Sequence, residues 1–186
     1  MDDKFESRSG TKLQMLVASL REDIPISFHG LFVNRIAASI VMPRVLRYAI
    51  YRAAGMRLQS ANIFYGAQFA ARRVTLGQRT FVNTNVKFED VAPIEIGDDC
   101  QIGMEVMFVT SHHDFRDGRI SKVPEPRKIV VGDRCWIGAR ATILPGVEIA
   151  SDCVIAAGAV VTRSVSEAGV YAGVPARKIR DLKPHN

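Results

Sequence analysis

The chain has 186 residues, 47% of them hydrophobic and 24% charged, which suits one domain with a short appendage and argues against disorder. Its longest apolar run, Ile36 to Met42, falls far short of the ~18 residues of a membrane span, and the acidic start MDDKFESRSG is unlike a secretory leader, so the cytoplasm is the expected location. Three cysteines without CxxC spacing exclude a disulfide framework and a zinc site, and a formal charge of +6 with no nucleic-acid-binding pattern points to an anionic cofactor rather than to nucleic acid.

Residues 1–27 carry little periodic signal, and His29 just after them reads as solvated or structural. Pro43 to Ala54 (PRVLRYAIYRAA) reads as a helix opened by Pro43 and closed by Gly55. It places Val45, Leu46, Ala49, Ile50 and Ala53 on one face, with Arg44, Arg47, Tyr51 and Arg52 elsewhere. Its expected role is to cap the open end of the structure that follows; the arginine-rich side keeps membrane-surface contact as the other reading.

A six-residue period dominates the rest. Steps of six give Ile96, Ile102 and Phe108, then Val131, Ile137, Ile143, Ile149, Ile155 and Val161. Four residues after these stand compact side chains: Cys100, Val106, Cys135, Ala141, Val147, Cys153, Ala159 and Val165. The residue just after the aliphatic is usually small, as at Gly97, Gly103, Gly132, Gly138, Ala150 and Ala156. A period of six fits neither a helix nor a two-sided strand, but it fits a short strand and a turn repeated around a prism. The aliphatic then points inward, the compact residue fills the corner, and stacked coils bury a continuous column. A fainter series runs through Leu58, Phe64, Ala70, Leu76, Val82 and Phe88, with a bulge at Glu89 to Pro93 before Ile96.

After His113 the period stops, and residues 114–128 read as an excursion loop. Counted from Phe108, His112 falls on the inward compact position and His113 on the next, outward one; Trp136 holds that outward position one coil later. At the end, Pro175 to Lys183 reads as a short basic helix, followed by a tail with His185. The expected fold is therefore an all-β solenoid: an N-terminal extension with the capping helix (1–56), a parallel β-helix domain (57–174) and a basic C-terminal helix and tail (175–186).

The segments VMFVTSHHDF (106–115), VVGDRCWIGARATILPGVEI (130–149), CVIAAGAVVTRSV (153–165) and YAGVPARKIR (171–180) resemble the hexapeptide-repeat acetyltransferases, in particular the maltose, galactoside and polysaccharide O-acetyltransferase branch. The resemblance implies a left-handed β-helix, a homotrimer with active sites between neighbouring subunits, and acetyl-CoA lying along the prism as acyl donor, with no metal required. It agrees with the register in making His113 the general base. Such a base must reach the acceptor hydroxyl, and a histidine of ordinary pKa near 6.5 suits the task. The resemblance also implies an asparagine that helps to hold the acceptor, with Asn83 favoured by its thirty-residue spacing to His113 and Asn85 beside it. Trp136, Ala139, Ala157, Thr162, Arg163, Arg177 and Arg180 match the family's coenzyme-A-lining positions. Small outward residues admit a pantetheine arm, and arginine supplies forked donors for phosphate. Where some relatives carry a serine, Ala139 leaves a backbone N–H to serve the oxyanion.

The residues leave open whether Asp114 or Glu125 orients the imidazole. Cys100, Cys135 and Cys153 all fall on the inward compact position, which favours direct transfer over a covalent thioester route. The expected function is acetyl transfer to a hydroxyl of a carbohydrate, glycan precursor or glycosylated metabolite. The alternatives are an N-acetyltransferase of an amino sugar, an antibiotic-inactivating acetyltransferase, and a non-catalytic scaffold. A metal-dependent carbonic anhydrase on this prism needs three converging histidines, which the repeat does not hold.

Overall fold

A computed structural model describes residues 26–116 and 118–182, with scattered helical positions between 14 and 24 before them. His185 lies outside the described residues. Three parallel sheets form the sides of a prism. The first face stacks Arg57–Leu58, Val74–Leu76, Ile94–Ile96, Ile129–Val131 and Glu148–Ile149. The second face stacks Phe81–Val82, Gln101–Ile102, Trp136–Ile137, Cys153–Ile155 and Gly169–Ala172; the third stacks Gln68–Phe69, Lys87–Glu89, Met107–Val109, Thr142–Ile143 and Val160–Val161.

The six-residue period is the period of this prism. Every inward position from Ile96 to Val161 is buried, and so is every compact corner residue from Cys100 to Val165. Burying each Ile or Val stabilises by ~1.5–3 kcal/mol relative to exposure, so the column is the main cohesive element. On the third face Phe69, Phe88 and Phe108 stack at 4.9 and 5.3 Å with nearly parallel rings, because strand pairing sets one coil directly above the next. Glycines after the inward residue permit that spacing. A Cβ on Gly138 would lie 2.5 Å from the Ala157 nitrogen, and one on Gly103 would lie 2.6 Å from the Ala139 nitrogen.

The corners turn through left-handed residues. Arg79, Asp99, Arg134 and Asp152 have φ of +55 to +59 on the first corner, and they alternate in charge. Arg79 pairs with Asp99 at 2.6 Å and Arg134 with Asp152 at 2.7 Å. All four are exposed enough that solvent screens the pairs, so each contributes little beyond filling a conformation that ordinary residues avoid.

The earliest coil departs from the expected register. Ile63 and Phe69 point inward, while Phe64 is only half-buried and Ala70 is exposed. The step from Leu58 to Ile63 takes five residues and the step from Phe69 to Leu76 takes seven, so one short corner is compensated by one long corner. Phe64 packs instead on the outside, edge-on against Phe81 at 5.1 Å.

The helix Arg44–Ala53 does cap the open end, but with the opposite face from the one its apolar stripe suggests. Its buried residues are Arg47 and Tyr51, and Val45 and Leu46 are exposed. Tyr51 stands edge-on against Phe69 at 5.0 Å, which begins the aromatic stack. The Arg47 guanidinium donates to the carbonyls of Ala37, Ile63, Ser39 and Met42 at 2.7–2.9 Å. These carbonyls belong to the ends of irregular segments, and the buried arginine supplies the donors that regular pairing would have given. Before the helix, residues 26–31 are helical and Phe32–Ala37 continues as a π-helical turn.

The expected C-terminal helix is a strand. Residues 173–176 form a turn, and Arg177–Arg180 returns antiparallel along Gly169–Ala172. The last strand of the second face would otherwise leave a row of unpaired backbone groups, and the basic segment covers that edge while its charges discourage further pairing.

Candidate active site

The long steps of the solenoid fall one above another. Phe69 to Leu76 takes seven residues, Phe88 to Ile96 eight, and Phe108 to Val131 twenty-three, and all three cross the corner between the third and first faces. The lowest bulge is held by Asp90, a fully buried residue whose carboxylate accepts from the Ala71 and Arg73 N–H groups at 2.7 Å each. The middle bulge, through Glu89, holds the uppermost. The Glu89 carboxylate accepts from the backbone N–H groups of Thr110 and Ser111 at 2.7 and 2.9 Å and from both their hydroxyls. Burial pushes its carboxyl up, but the hydrogen bonds from Ser111 and Thr110 together outweigh that and hold it below its ordinary value. Glu89 thus fixes the chain where it leaves the prism, two residues before His112.

Beyond Ser111 the register ends. His112 is not a buried corner residue as the count of six suggested; its side chain is half-exposed and its Nε2 lies 3.6 Å from Asp114. His113 is exposed, as expected, and its Nδ1 sits 2.9 Å from the Ser121 carbonyl oxygen. A carbonyl only accepts, so Nδ1 carries the proton and Nε2 presents its lone pair to solvent. A hairpin makes that contact: Phe115–Arg116 pairs antiparallel with Arg119–Ile120, and the Ser121 N–H donates to the Asp114 carbonyl at 2.8 Å. Gly118, at φ +72, turns it. The backbone of the loop is tied back by Glu125 N–H to the His112 carbonyl and by Arg127 N–H to the Thr110 carbonyl.

The residues expected to line coenzyme A gather on another side. Trp136 projects from the second face, 57% exposed, in line with Phe81 and Gln101. Ala139 and Ala157 follow on the corner between the second and third faces, in adjacent coils joined by the Gly158 N–H to the Ala139 carbonyl at 2.8 Å. Asn83 lies on the same edge and shares with Trp136 a shallow depression of about 320 Å³ lined also by Phe81, Gln101, Ile102 and Gly103. The Asn83 amide oxygen accepts from the Thr84 N–H at 2.8 Å. Arg177 and Arg180, both exposed, belong to the strand that extends the sheet carrying Trp136. Thr162 and Arg163 are exposed just past Val160–Val161, and Val160 receives the turn 173–176 through hydrogen bonds to Gly173 and Ala176. This stretch sets the small residues Gly103, Ala139 and Ala157 beside a projecting indole, with arginines toward one end.

Asn85 is separated from Asn83. It occupies a left-handed corner position at φ +59 and lines a different hollow, with Gly66, Gln68, Lys87, Glu105 and Met107. Sequence reasoning missed Glu89 and Ser121. The acid in the bulge and the Asp-Gly pair at 117–118, a hairpin signature, were the available signals.

The three cysteines are buried and free. A hydrogen bond with Cys135 and burial push the Cys100 thiol up, and burial does the same for Cys153. Thiols so placed are packing groups without access to substrate.

Residues 128–163 match the family model described as bacterial transferase hexapeptide (six repeats). The fold is similar to that of a hexapeptide-repeat containing acetyltransferase from Vibrio cholerae, complexed with acetyl coenzyme A, at a TM-score of 0.70 and 30% identity over 86% of each chain. Galactoside O-acetyltransferase of Escherichia coli is 35% identical over 114 residues, which cover 59% of this chain and 54% of that protein. Its counterpart from Lactococcus lactis is 32% identical over 122 residues, covering 63% and 58%. The chain spans little more than half the length of these curated relatives. With the stacked hexads, these matches place the chain in the hexapeptide-repeat acetyltransferase family.

Proposed function

We propose that this chain transfers the acetyl group of acetyl-CoA to a hydroxyl of a carbohydrate, a glycan precursor or a glycosylated metabolite, with His113 as general base. The observation that carries the reading is the bond from His113 Nδ1 to the Ser121 carbonyl. It fixes the tautomer that leaves Nε2 basic and holds the ring on an otherwise exposed loop. Nε2 takes the hydroxyl proton as the oxygen bonds to the acetyl carbon, and the same proton passes to the sulfur as the carbon–sulfur bond breaks. Acetyl-CoA supplies the activated acyl group. Trp136, Ala139, Ala157, Thr162 and Arg163 would line its arm, and Arg177 and Arg180 would meet its phosphates. Support for a sugar hydroxyl comes from the galactoside O-acetyltransferase relatives and from Asn83, whose amide can both donate and accept toward a diol.

The reading includes a homotrimer. His113 leaves the prism at the corner between the third and first faces, whereas Trp136 stands on the second face, the side opposite that corner. A base and a donor surface so divided meet when the loop of one copy reaches the second face of the next.

The test is a panel of free sugars, nucleotide sugars, lipid-linked glycans and amino sugars, with thiol release measured and the product treated with mild alkali. An alkali-labile ester is expected. A base-stable amide as the efficient product overturns the hydroxyl as acceptor and leaves the donor site standing.

A further inference from the structure

Between Ile24 and Phe88 the chain has no acidic residue, yet it carries Arg35, Arg44, Arg47, Arg52, Arg57, Arg72, Arg73, Arg79 and Lys87. Nine cations in a chain of net charge +6 leave the remainder at −3, so the positive charge is concentrated at the N-terminal end of the prism. Only Arg47 of this set is buried. Arg44 lies over the Phe64 ring at 5.4 Å, with no carboxylate within its own segment to pair with.

The same end carries aliphatic side chains that the fold leaves outside. Because the helix Arg44–Ala53 buries Arg47 and Tyr51, all of its apolar stripe but Ile50 is exposed. Val45 is 72% exposed, and in the turn just before the helix Ile40 and Val41 are 70% and 83% exposed. Leu46 completes a projecting cluster of four. Next to the helix runs an open groove of about 470 Å³ lined by Phe28, Phe32, Ile50, Ala53 and Arg72, among others. Exposed apolar surface of this extent, rimmed by charge, marks an interaction site.

We propose that this end of the solenoid docks on an anionic lipid bilayer, with Ile40, Val41, Val45 and Leu46 entering the headgroup–acyl boundary and Arg35, Arg44 and Arg52 meeting lipid phosphates. The chemistry selects this occupant. A second copy meeting the patch with its own patch would bring cations against cations with no acid to relieve them. A nucleic acid or an acidic glycan would satisfy the arginines but leave the aliphatic cluster in water. An anionic bilayer takes both. No helix among the described residues is long and apolar enough to cross a membrane, so the contact is peripheral. The inference rests on surface chemistry alone and is independent of the acetyl-transfer reading.

The experiment is sedimentation of the full chain with phosphatidylcholine vesicles, with and without phosphatidylglycerol. Binding to the anionic vesicles is expected, weakening as salt rises. Arg44→Glu should lower the partition coefficient by at least about fivefold, and Val41→Asp should do the same. Val41→Trp should raise it, which keeps the test open if an aspartate impairs folding. Acetyl-CoA consumption with a soluble acceptor should be unchanged in all three. Absence of binding to anionic vesicles overturns the proposal. So does a Val41→Asp variant that binds vesicles normally but sediments as a smaller oligomer, since the cluster is then a contact between copies.

Discussion

The upper coils, from Ile129 to Val161, keep a strict step of six, whereas the lower coils, from Arg57 to Val109, exceed it at the corner between the third and first faces on every turn. The two regions divide the work. Regular stacking leaves an edge of small residues beside Trp136, where the proposed donor would lie. The irregular corner adds residues coil by coil until the chain leaves the prism altogether, and His113, the proposed base, stands there. Side chains that close each bulge, Asp90 below and Glu89 above, join the irregularities into one column. In this reading the proposed chemistry concentrates at departures from the repeat, and the repeat supplies the rigid frame.

If that division is right, damage to each region has its own signature. The largest effect is expected at the irregular corner: His113→Ala should lower turnover by ~10²–10⁴-fold with acetyl-CoA binding nearly intact, whereas His112→Ala should be milder. Steady-state kinetics with equilibrium cofactor binding separates the two, and the reverse order would move the base to His112.

Damage to the regular region should appear in stability. Gly138→Ala sets a methyl 2.5 Å from the backbone nitrogen of Ala157, so it should cost ~1–3 kcal/mol in thermal or urea unfolding. Gly30→Ala, with nothing within 4 Å of the added carbon, should cost nothing measurable.

Glu89 links the regions. Both backbone donors of Thr110 and Ser111 meet one Glu89 oxygen, and Glu89→Gln replaces these charge-assisted bonds with weaker neutral ones, so turnover should fall by roughly tenfold as the loop junction loosens, without a change in acetyl-CoA affinity. The pH dependence carries a second sign. The folded chain holds the Glu89 carboxyl below its ordinary 4.5, so its contribution to stability is complete above that value and fades as pH falls through the lower folded value. Melting curves of the wild type should therefore converge on those of Glu89→Gln under acid conditions. A constant gap between them across pH would remove the carboxylate from this role.

The smallest effect is expected at the rim of the donor surface. Arg177→Ala should raise the Michaelis constant for acetyl-CoA a few-fold with turnover preserved, because an exposed arginine meets phosphate through solvent-screened contacts. Unchanged cofactor binding would take Arg177 out of the site.

What was legible in the sequence follows the same divide. Inward Ile and Val at a fixed period report the core directly, since each has one environment that suits it, and counting from them gives His113 the outward position at which it is exposed. The count failed wherever backbone pairing, not burial, decided the outcome. Phe64 and Ala70 lost the inward positions to Ile63 and Phe69 because a five-residue corner and a seven-residue corner cancel. Arg177–Arg180 became a strand because an open sheet edge required partners. Arg44–Ala53 turned its apolar face outward because Arg47 was needed to satisfy four carbonyls at the end of the prism. Ser121 acts through its carbonyl, a group that every residue has and no side-chain pattern reveals.

The most direct test of the division between a base on one corner and a donor surface on the opposite face is complementation between two inactive variants. His113→Ala and Trp136→Ala should each be impaired alone. Assembled together from mixed subunits, they should recover roughly a quarter of wild-type activity, since random assortment pairs an intact His113 with an intact Trp136 of a neighbour at about one site in four. Recovery places each site between two copies of the chain; no recovery above the two variants measured separately would put both halves of the site on the same copy and contradict it.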